Sequence, residues 1–424
     1  MDEIINFGFS QAESSIIKVL GVGGAGCNAV NHMFTEGIQG VDFLICNTDA
    51  QVLKISPVPV KIQLGVSLTQ GRGAGNQPEQ GEQAAIENLE DIRKLLKGTT
   101  RMLFITAGMG GGTGTGAAPV LARLSRELDI LTIAVVTVPS PAEGKRRFQQ
   151  AMAGVEKLKK HVDSMLVVSN EKLHEIYGDL PASQAFMKAD DIIGTAVKGV
   201  AEIITLHGNI NIDFADVYTV MTGSEVFIMG TGIAEGESRA MNAVHQALES
   251  PLLDSNDIWG TKDILLNITS GADEIKMGEI GDIIEYLQAK AGQDANIIWG
   301  NGMDPKLANK ISVTIIATRF NKNPNKLLQP KPEVEEVVLD ELPGADINAE
   351  EDRDSREEPV WEIAGLKPDP VWTDKGGKKI NRKKVNSKKS QARKPEPEHE
   401  NTESWFFRHF NLNRFFEDQD EEIK

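Results

Sequence analysis

Apolar residues in this chain gather into short runs divided by amphipathic or glycine-rich stretches. Between 16 and 138 the runs read IIKVLG, VDFLICNTD, VPVKIQLG, RMLFITAG and DILTIAVVTV. Each is about strand length and continuously apolar, as a strand buried on both faces requires. Helix-like segments separate them, and this alternation predicts a parallel sheet covered by helices on both sides. Over 189–207, the stretch ADDIIGTAVKGVAEIITLH sets Ile192, Ile193, Ala196, Val197, Val200, Ile203 and Ile204 at helical spacing on more than one face. It predicts a long, largely buried helix, with Gly208 as its stop. From 225 to 320 a second α/β unit follows: EVFIMGTG, a helix over 236–249, DILLNITSG, a helix over 279–291, ANIIWGNG and KISVTIIATRF. No internal repeat is visible.

The pattern breaks after Phe320. Residues 333–358 are acidic, and 375–394, KGGKKINRKKVNSKKSQARK, contain no acid. Like-charge blocks with so few apolar residues bury too little surface to fold, so 321–400 is expected to be a disordered linker. Beyond it, SWFFRHFNLNRFF is abruptly aromatic.

Composition narrows the reading. The 424 residues leave room for two domains and a tail, and 40% hydrophobic with 25% charged residues is ordinary for a globular chain. A net charge of −17 argues against general nucleic-acid binding. No apolar run reaches the length of a membrane span, and MDEIINFGFSQAESS lacks the basic-then-apolar pattern of a signal peptide. Cys27 and Cys46 are the only cysteines, too few for a disulfide framework and without metal-site spacing. A soluble cytoplasmic protein is the expectation.

Chemistry enters with glycine. Residues 108–116, GMGGGTGTG, hold six glycines between a strand-like and a helix-like run. A plain turn needs one or two. Bare backbone at a helix start offers free N–H groups and the positive dipole end, a site for phosphate. Earlier, IIKVLGVGGAGCNAVNHMF places Gly21, Gly23 and Gly26 as G-x-G-x-x-G between strand and helix. Alone, this is the dinucleotide fingerprint, with Asp42 or Asp49 as ribose ligand, and it makes an oxidoreductase the rival reading. A third glycine-bearing loop, TQGRGAGNQP, stands at 69–78. Three such loops, each following a strand-like run, suit a triphosphate better than a pyrophosphate. Neither rich loop ends in Lys-Ser/Thr, so backbone N–H groups and the hydroxyls of Thr113 and Thr115 are left to cradle the phosphates.

Taken in order, GVGGAGCNAVN, NTDAQ, GRGAGNQP, GMGGGTGTGAAPV, VVTVPSPAEGKRR, NIDFADV and SPLL resemble the FtsZ family of bacterial tubulin-like cell-division GTPases, from about residue 16 to 320. The resemblance implies a tubulin-like α/β GTPase domain with a Rossmann-like parallel sheet over 16–188, after a flexible segment 1–15. A central connecting helix over 189–208 would join it to a smaller α/β C-terminal domain over 209–320, followed by the disordered linker. It implies GTP and GDP as ligands, Mg²⁺ bridging the phosphates, and head-to-tail assembly into filaments of a division ring at midcell. Carried over position by position, Gly23, Gly24, Gly110, Gly111, Gly112, Thr113 and Gly114 would surround the phosphates, and Ala74 and Gly75 would complete the γ-phosphate side. Glu143 and Arg147 would meet the ribose. Asn28, Phe186 and Asp190 would hold the guanine, with Asn170 nearby. Asp190 offers an acceptor for the N1–H and amino group that adenine lacks, and Phe186 a stacking face. By themselves a helix-start acid and a core aromatic are as natural.

No base lies in the glycine loops. After the long helix, HGNINIDFADVY carries Asn211, Asp213 and Asp216. Two carboxylates three residues apart suit helix capping as well as catalysis. The resemblance implies that this loop enters the next subunit's nucleotide site, where Asp213 and Asp216 act on the attacking water and Asn211 positions them. A filament scaffold that binds GTP without hydrolysis is a further alternative, against which the two acids speak.

Three departures stand out. Ser140 and Ala142 occupy PSPAEG where the family usually carries aromatics, and Ala25 stands where glycine is common. In place of the family's short apolar-basic end, residues 401–424 carry Trp405, Phe406, Phe407 and Phe410 with Arg408 and Arg414. A docking peptide for division proteins and a membrane anchor is expected there, making membrane contact indirect.

Overall fold

The computed structural model describes residues 15–205, 208–249 and 258–329. The expected docking peptide 401–424, residues 1–14 and the linker from 330 onward lie outside the described residues.

The chain opens β1 (Ile17–Val22), α1 (Gly23–Glu36), β2 (Asp42–Asn47), α2 (Ala50–Ile55), β3 (Val60–Gln63), α3 (Val66–Thr69), α4 (Pro78–Glu87) and α5 (Leu89–Leu96). It continues through β4 (Met102–Gly108), α6 (Thr113–Glu127), β5 (Leu131–Val138), α7 (Lys145–Lys159), β6 (Ser164–Ser169), α8 (Asn170–Tyr177) and α9 (Ala182–Thr205). The six strands form one sheet in the order β3-β2-β1-β4-β5-β6, every neighbouring pair parallel. Its central strands are apolar at successive positions because both faces are covered. Ile17 and Val19 pack on the side of α1 and α9, Leu20 and Val22 on the side of α6 and α7. The sequence pattern misses one element: the one-turn α3 stands between β3 and the third glycine loop, so that loop follows a helix and not a strand.

The second part comprises β7 (Gly208–Ile210), α10 (Phe214–Met221), β8 (Phe227–Ala234), α11 (Arg239–Leu248), β9 (Asp263–Ser270), α12 (Met277–Ala291), β10 (Asn296–Met303) and β11 (Ile311–Thr318). Its strands run β7-β10-β9-β11-β8. Only β9 and β10 pair in parallel, so this smaller sheet is mixed.

Helix α9 binds the two sheets into one core. Ala196, Val197, Val200 and Ile203 share a buried cluster with Val19 and Phe104 of the first sheet and Phe227, Leu265 and Ile316 of the second. A helix apolar on several faces needs such cover on several sides. It starts at Ala182, seven residues before the periodic stretch, because its first turns project past the core: Phe186 and Met187 are exposed and leave no apolar stripe to read. Gly208 is the first residue of β7 and therefore part of a strand, not a helix stop.

Candidate functional site

Adjacent strands β1 and β4 send the chain in opposite directions across the sheet, β1 toward β2 and β3, β4 toward β5 and β6. Ligands of open parallel sheets bind at the carboxyl ends of strands where the order reverses in this way. Both rich glycine loops lie there, Gly23 beginning α1 directly after β1, and residues 109–112 leading from β4 into α6.

Neither α1 nor α6 has a side-chain cap or an acidic residue in its first turn. By contrast α2, α8 and α10 are capped by the side chains of Asp49, Ser169 and Asp213. The first-turn N–H groups of α1 and α6 thus have no side-chain acceptor, and two positive dipole ends converge on one crevice. That arrangement calls for an anion.

Internal contacts fix the loops. Gly23 has φ +73°, and a Cβ there would stand 2.9 Å from the Gly114 nitrogen, so the first loop lies directly on the second. Gly110, at φ +101°, donates its N–H to Thr115 Oγ1 at 2.8 Å. The Thr113 hydroxyl pairs with that of Thr48 at 2.7 Å. The third loop joins through buried Ala74: a Cβ on Gly112 would stand 2.9 Å from the Ala74 Cβ. Gln150 of α7 donates to the carbonyls of Gly110 at 3.2 Å, Gly111 at 3.1 Å and Asn76 at 3.4 Å, tying two loops together. At Gly24, Gly75 and Gly111 a Cβ would meet nothing within 4 Å. Each loop therefore keeps an open face where another molecule can meet bare backbone.

Beside the phosphate end, Glu143 organises a small polar cluster. Its Oε1 accepts from the Ser140 N–H at 3.1 Å and from Asn170 Nδ2 at 2.9 Å, and its Oε2 lies 3.6 Å from exposed Arg147. Ser140 is itself buried and accepts from the Ala142 N–H at 3.3 Å. The two departures in PSPAEG thus build a capped turn that presents Glu143.

At the other end, exposed Asn28 belongs to α1, and Phe186 and Asp190 lie four residues apart on one face of α9. Phe186 is 58% exposed, which excludes a core role. Burial pushes the Asp190 carboxyl up to about 6, with His32 pulling it down and Asp191 adding to the rise. It still carries its charge at neutral pH.

Asn211, Asp213 and Asp216 belong to the second part of the molecule, and among the described residues the hydrogen bonds of their side chains stay within residues 208–216. Asn211 Oδ1 accepts from the Gly208 N–H at 2.6 Å. Asp213 Oδ1 accepts from the Asp216 N–H at 2.9 Å, and Asp216 Oδ2 accepts from the Asp213 N–H at 3.2 Å. This is a reciprocal capping box on α10, and both carboxylates keep their remaining oxygen lone pairs toward solvent.

The structure differs from the oxidoreductase reading at its ribose ligands. Asp49 spends its carboxylate on capping α2, accepting from the Gln51 N–H at 2.8 Å, and Asp42 accepts from the Ser15 N–H at 3.1 Å. Replacing Asp49 by alanine is expected to cost about 1 kcal/mol of stability, the ordinary value of such a cap. A denaturant titration checks this. Sequence reasoning missed Gln150, a commonplace residue whose role comes wholly from packing against the loops, and gave no separate role to Thr48 within NTDAQ.

Comparison with known proteins gives a consistent result. The family described as "Tubulin/FtsZ family, GTPase domain" matches residues 16–178, and "FtsZ family, C-terminal domain" matches 226–321. The cell division protein FtsZ of Porphyromonas gingivalis is 44% identical over 357 residues, 84% of this chain and 78% of that protein. That of Pseudomonas putida is 48% identical over 307 residues, 72% of this chain and 77% of its own. Among solved structures, an empty FtsZ dimer from M. jannaschii is 42% identical with a TM-score of 0.66, covering 73% of this chain and 89% of that one. CetZ from Methanosaeta thermophila, at 19% identity and TM-score 0.60 over 72% of this chain and 86% of that one, shares the fold.

Proposed function

This chain belongs to the FtsZ family of tubulin-like, filament-forming cell-division GTPases, and from that premise we propose how its residues divide the work of binding and hydrolysing GTP. The triphosphate lies across the starts of α1 and α6, held by backbone N–H groups of Gly23, Gly24, Gly111, Gly112 and Gly114 and the Thr113 hydroxyl, with Gly110 beside it shaping the loop through its own N–H bond to Thr115. Ala74 and Gly75 close the γ-phosphate side. The uncapped starts of those two helices are the observation that carries this assignment. Glu143, Arg147 and Asn170 meet the ribose and its neighbourhood. Asn28 and Asp190 read the guanine edge while Phe186 stacks on the ring.

Residues 21–26, 71–77 and 108–116 contain no Asp or Glu. A bound Mg²⁺ would therefore take phosphate oxygens, water and threonine hydroxyls as ligands, and it would neutralise charge developing on the transferred group. The same lack leaves the loops without an acceptor for the proton of an attacking water. Asp213 and Asp216, held toward solvent by their mutual capping, supply that function from the neighbouring subunit, with Asn211 fixing the turn before them. The water attacks the γ-phosphorus, the bond to the β-phosphate oxygen breaks, and GDP remains at the interface. Such a contact joins unlike surfaces and does not close on itself, so repetition gives a filament. We place the filament at the midcell ring in the cytoplasm, attached to its anchor and to division proteins through residues 401–424.

Phosphate release from GTP, measured with Mg²⁺ across a dilution series, tests the shared site. Specific activity is expected near zero in dilute protein and to rise steeply above a threshold concentration. Activity per chain that is constant with concentration would mean a complete site in each subunit and would overturn the proposal.

A further inference from the structure

We propose that His32, Glu36 and Asp191 form a site for a zinc-class divalent cation that staples α1 to α9. His32 and Glu36 stand four residues apart on α1, hence on one face, and Asp191 approaches from α9. His32 Nε2 is closed off from solvent, 2.8 Å from Asp191 Oδ1 and 3.3 Å from Glu36 Oε1. Yet neither carboxylate lies where the ring N–H can form a hydrogen bond with it. The three donor atoms all fall within 4.8 Å of one another. In a tetrahedral zinc site with nitrogen and oxygen ligands at about 2.0–2.1 Å, neighbouring ligand atoms are about 3.3 Å apart. The nitrogen, at 2.8 and 3.3 Å from the two oxygens, is already close to that spacing, and the two oxygens lie within 4.8 Å of each other. An ion on the nitrogen's lone-pair axis can take both carboxylates off that axis, which a proton cannot.

The ligand chemistry selects the metal class. One imidazole with two carboxylates suits zinc and its borderline neighbours, whereas calcium and magnesium prefer oxygen alone. Lys188 Nζ lies 3.0 Å from Asp191 Oδ2, so it engages the other oxygen and leaves Oδ1 to the ion. Glu36 is exposed, so solvent reaches the cluster and water can fill a fourth position. The site needs no nucleotide, although it borders the proposed guanine end: Asp191 follows Asp190, and His32 acts on the Asp190 carboxyl.

Calorimetric titration of zinc chloride into the full nucleotide-free chain, alongside His32→Gln and Glu36→Gln, tests the site. The acidic chain holds many other carboxylates, so the comparison between variants is the readout. The parent is expected to show a zinc site that each variant weakens at least tenfold, and a zinc-dependent rise in melting temperature that both variants lose. Cobalt substitution is expected to give a visible absorption band of four-coordinate type in the parent and none in His32→Gln. If variants with the parent's circular dichroism bind zinc as tightly as the parent, the cluster is only a histidine bridging two carboxylates and the proposal is wrong. Exposed Glu36 lies outside the core, so its variant keeps the test decisive even if His32→Gln unfolds.

Discussion

Replacing Asp213 by asparagine is expected to lower GTP turnover by about 100-fold or more, while the chain keeps its fold and its bound nucleotide. Asparagine caps a helix about as well as aspartate. Its side-chain oxygen can accept the Asp216 N–H as Asp213 Oδ1 does, so the turn before α10 persists. What disappears is the charge that receives a proton from water, and loss of a general base commonly costs two to four orders of magnitude. Nucleotide held by the same chain is expected to be untouched, since among the described residues Asp213 bonds within its own segment. The measurement pairs phosphate release at high protein concentration with filter binding of GTP. Retained turnover would reduce Asp213 to a cap. The alanine variant should behave like asparagine in activity but lose about a further 1 kcal/mol of stability.

The second large effect is expected in the phosphate loops. Gly23→Ala forces a side chain into the left-handed region, at roughly 1–2 kcal/mol, and drives its Cβ to 2.9 Å from the Gly114 nitrogen. Because the two loops lie on each other, the second must shift, and it carries most of the phosphate N–H groups. GTP affinity should fall by about 100-fold, equivalent to about 2.7 kcal/mol. Binding of a fluorescent GTP analogue, with circular dichroism as fold control, measures it. An affinity within a few-fold of the parent would show that the loops yield. The two variants also complement each other: an interface with phosphate loops from Asp213→Asn and the acid loop from Gly23→Ala is intact. Their mixture should therefore hydrolyse GTP where neither does alone.

How much of this could be read from residues depends on what each position answers to. Strands β1, β4 and β5 are continuous apolar runs because a doubly covered parallel sheet demands them, and the glycine loops are visible because only glycine serves there. Helix α9 was legible where it is sandwiched and illegible over 184–188, where Gln184, Phe186, Met187 and Lys188 are exposed and obey no burial pattern. Gln150 carries no signal, since a helix surface tolerates almost any polar residue; Thr48 lies within NTDAQ, but the spacing of that motif does not reveal its bond to Thr113. Ser140 stands where the family usually carries an aromatic residue. Its hydroxyl and N–H instead shape the turn that holds Glu143. The structure shows the capping reading of Asp213, and it leaves the proposed catalytic role open to test, because a capping box uses one oxygen of each carboxylate.

Helix α9 carries a last consequence. Phe186 and Asp190 stand near its beginning, and β7 with the acid loop follows its end. Its 24 residues at 1.5 Å each make a rod of about 36 Å. In the head-to-tail stack proposed above, those two ends would be what successive subunits present to each other. On that proposal the rod is the ruler of the polymer: subunit spacing is written in turns of one helix, and adding or deleting a turn is expected to change the period of the whole filament.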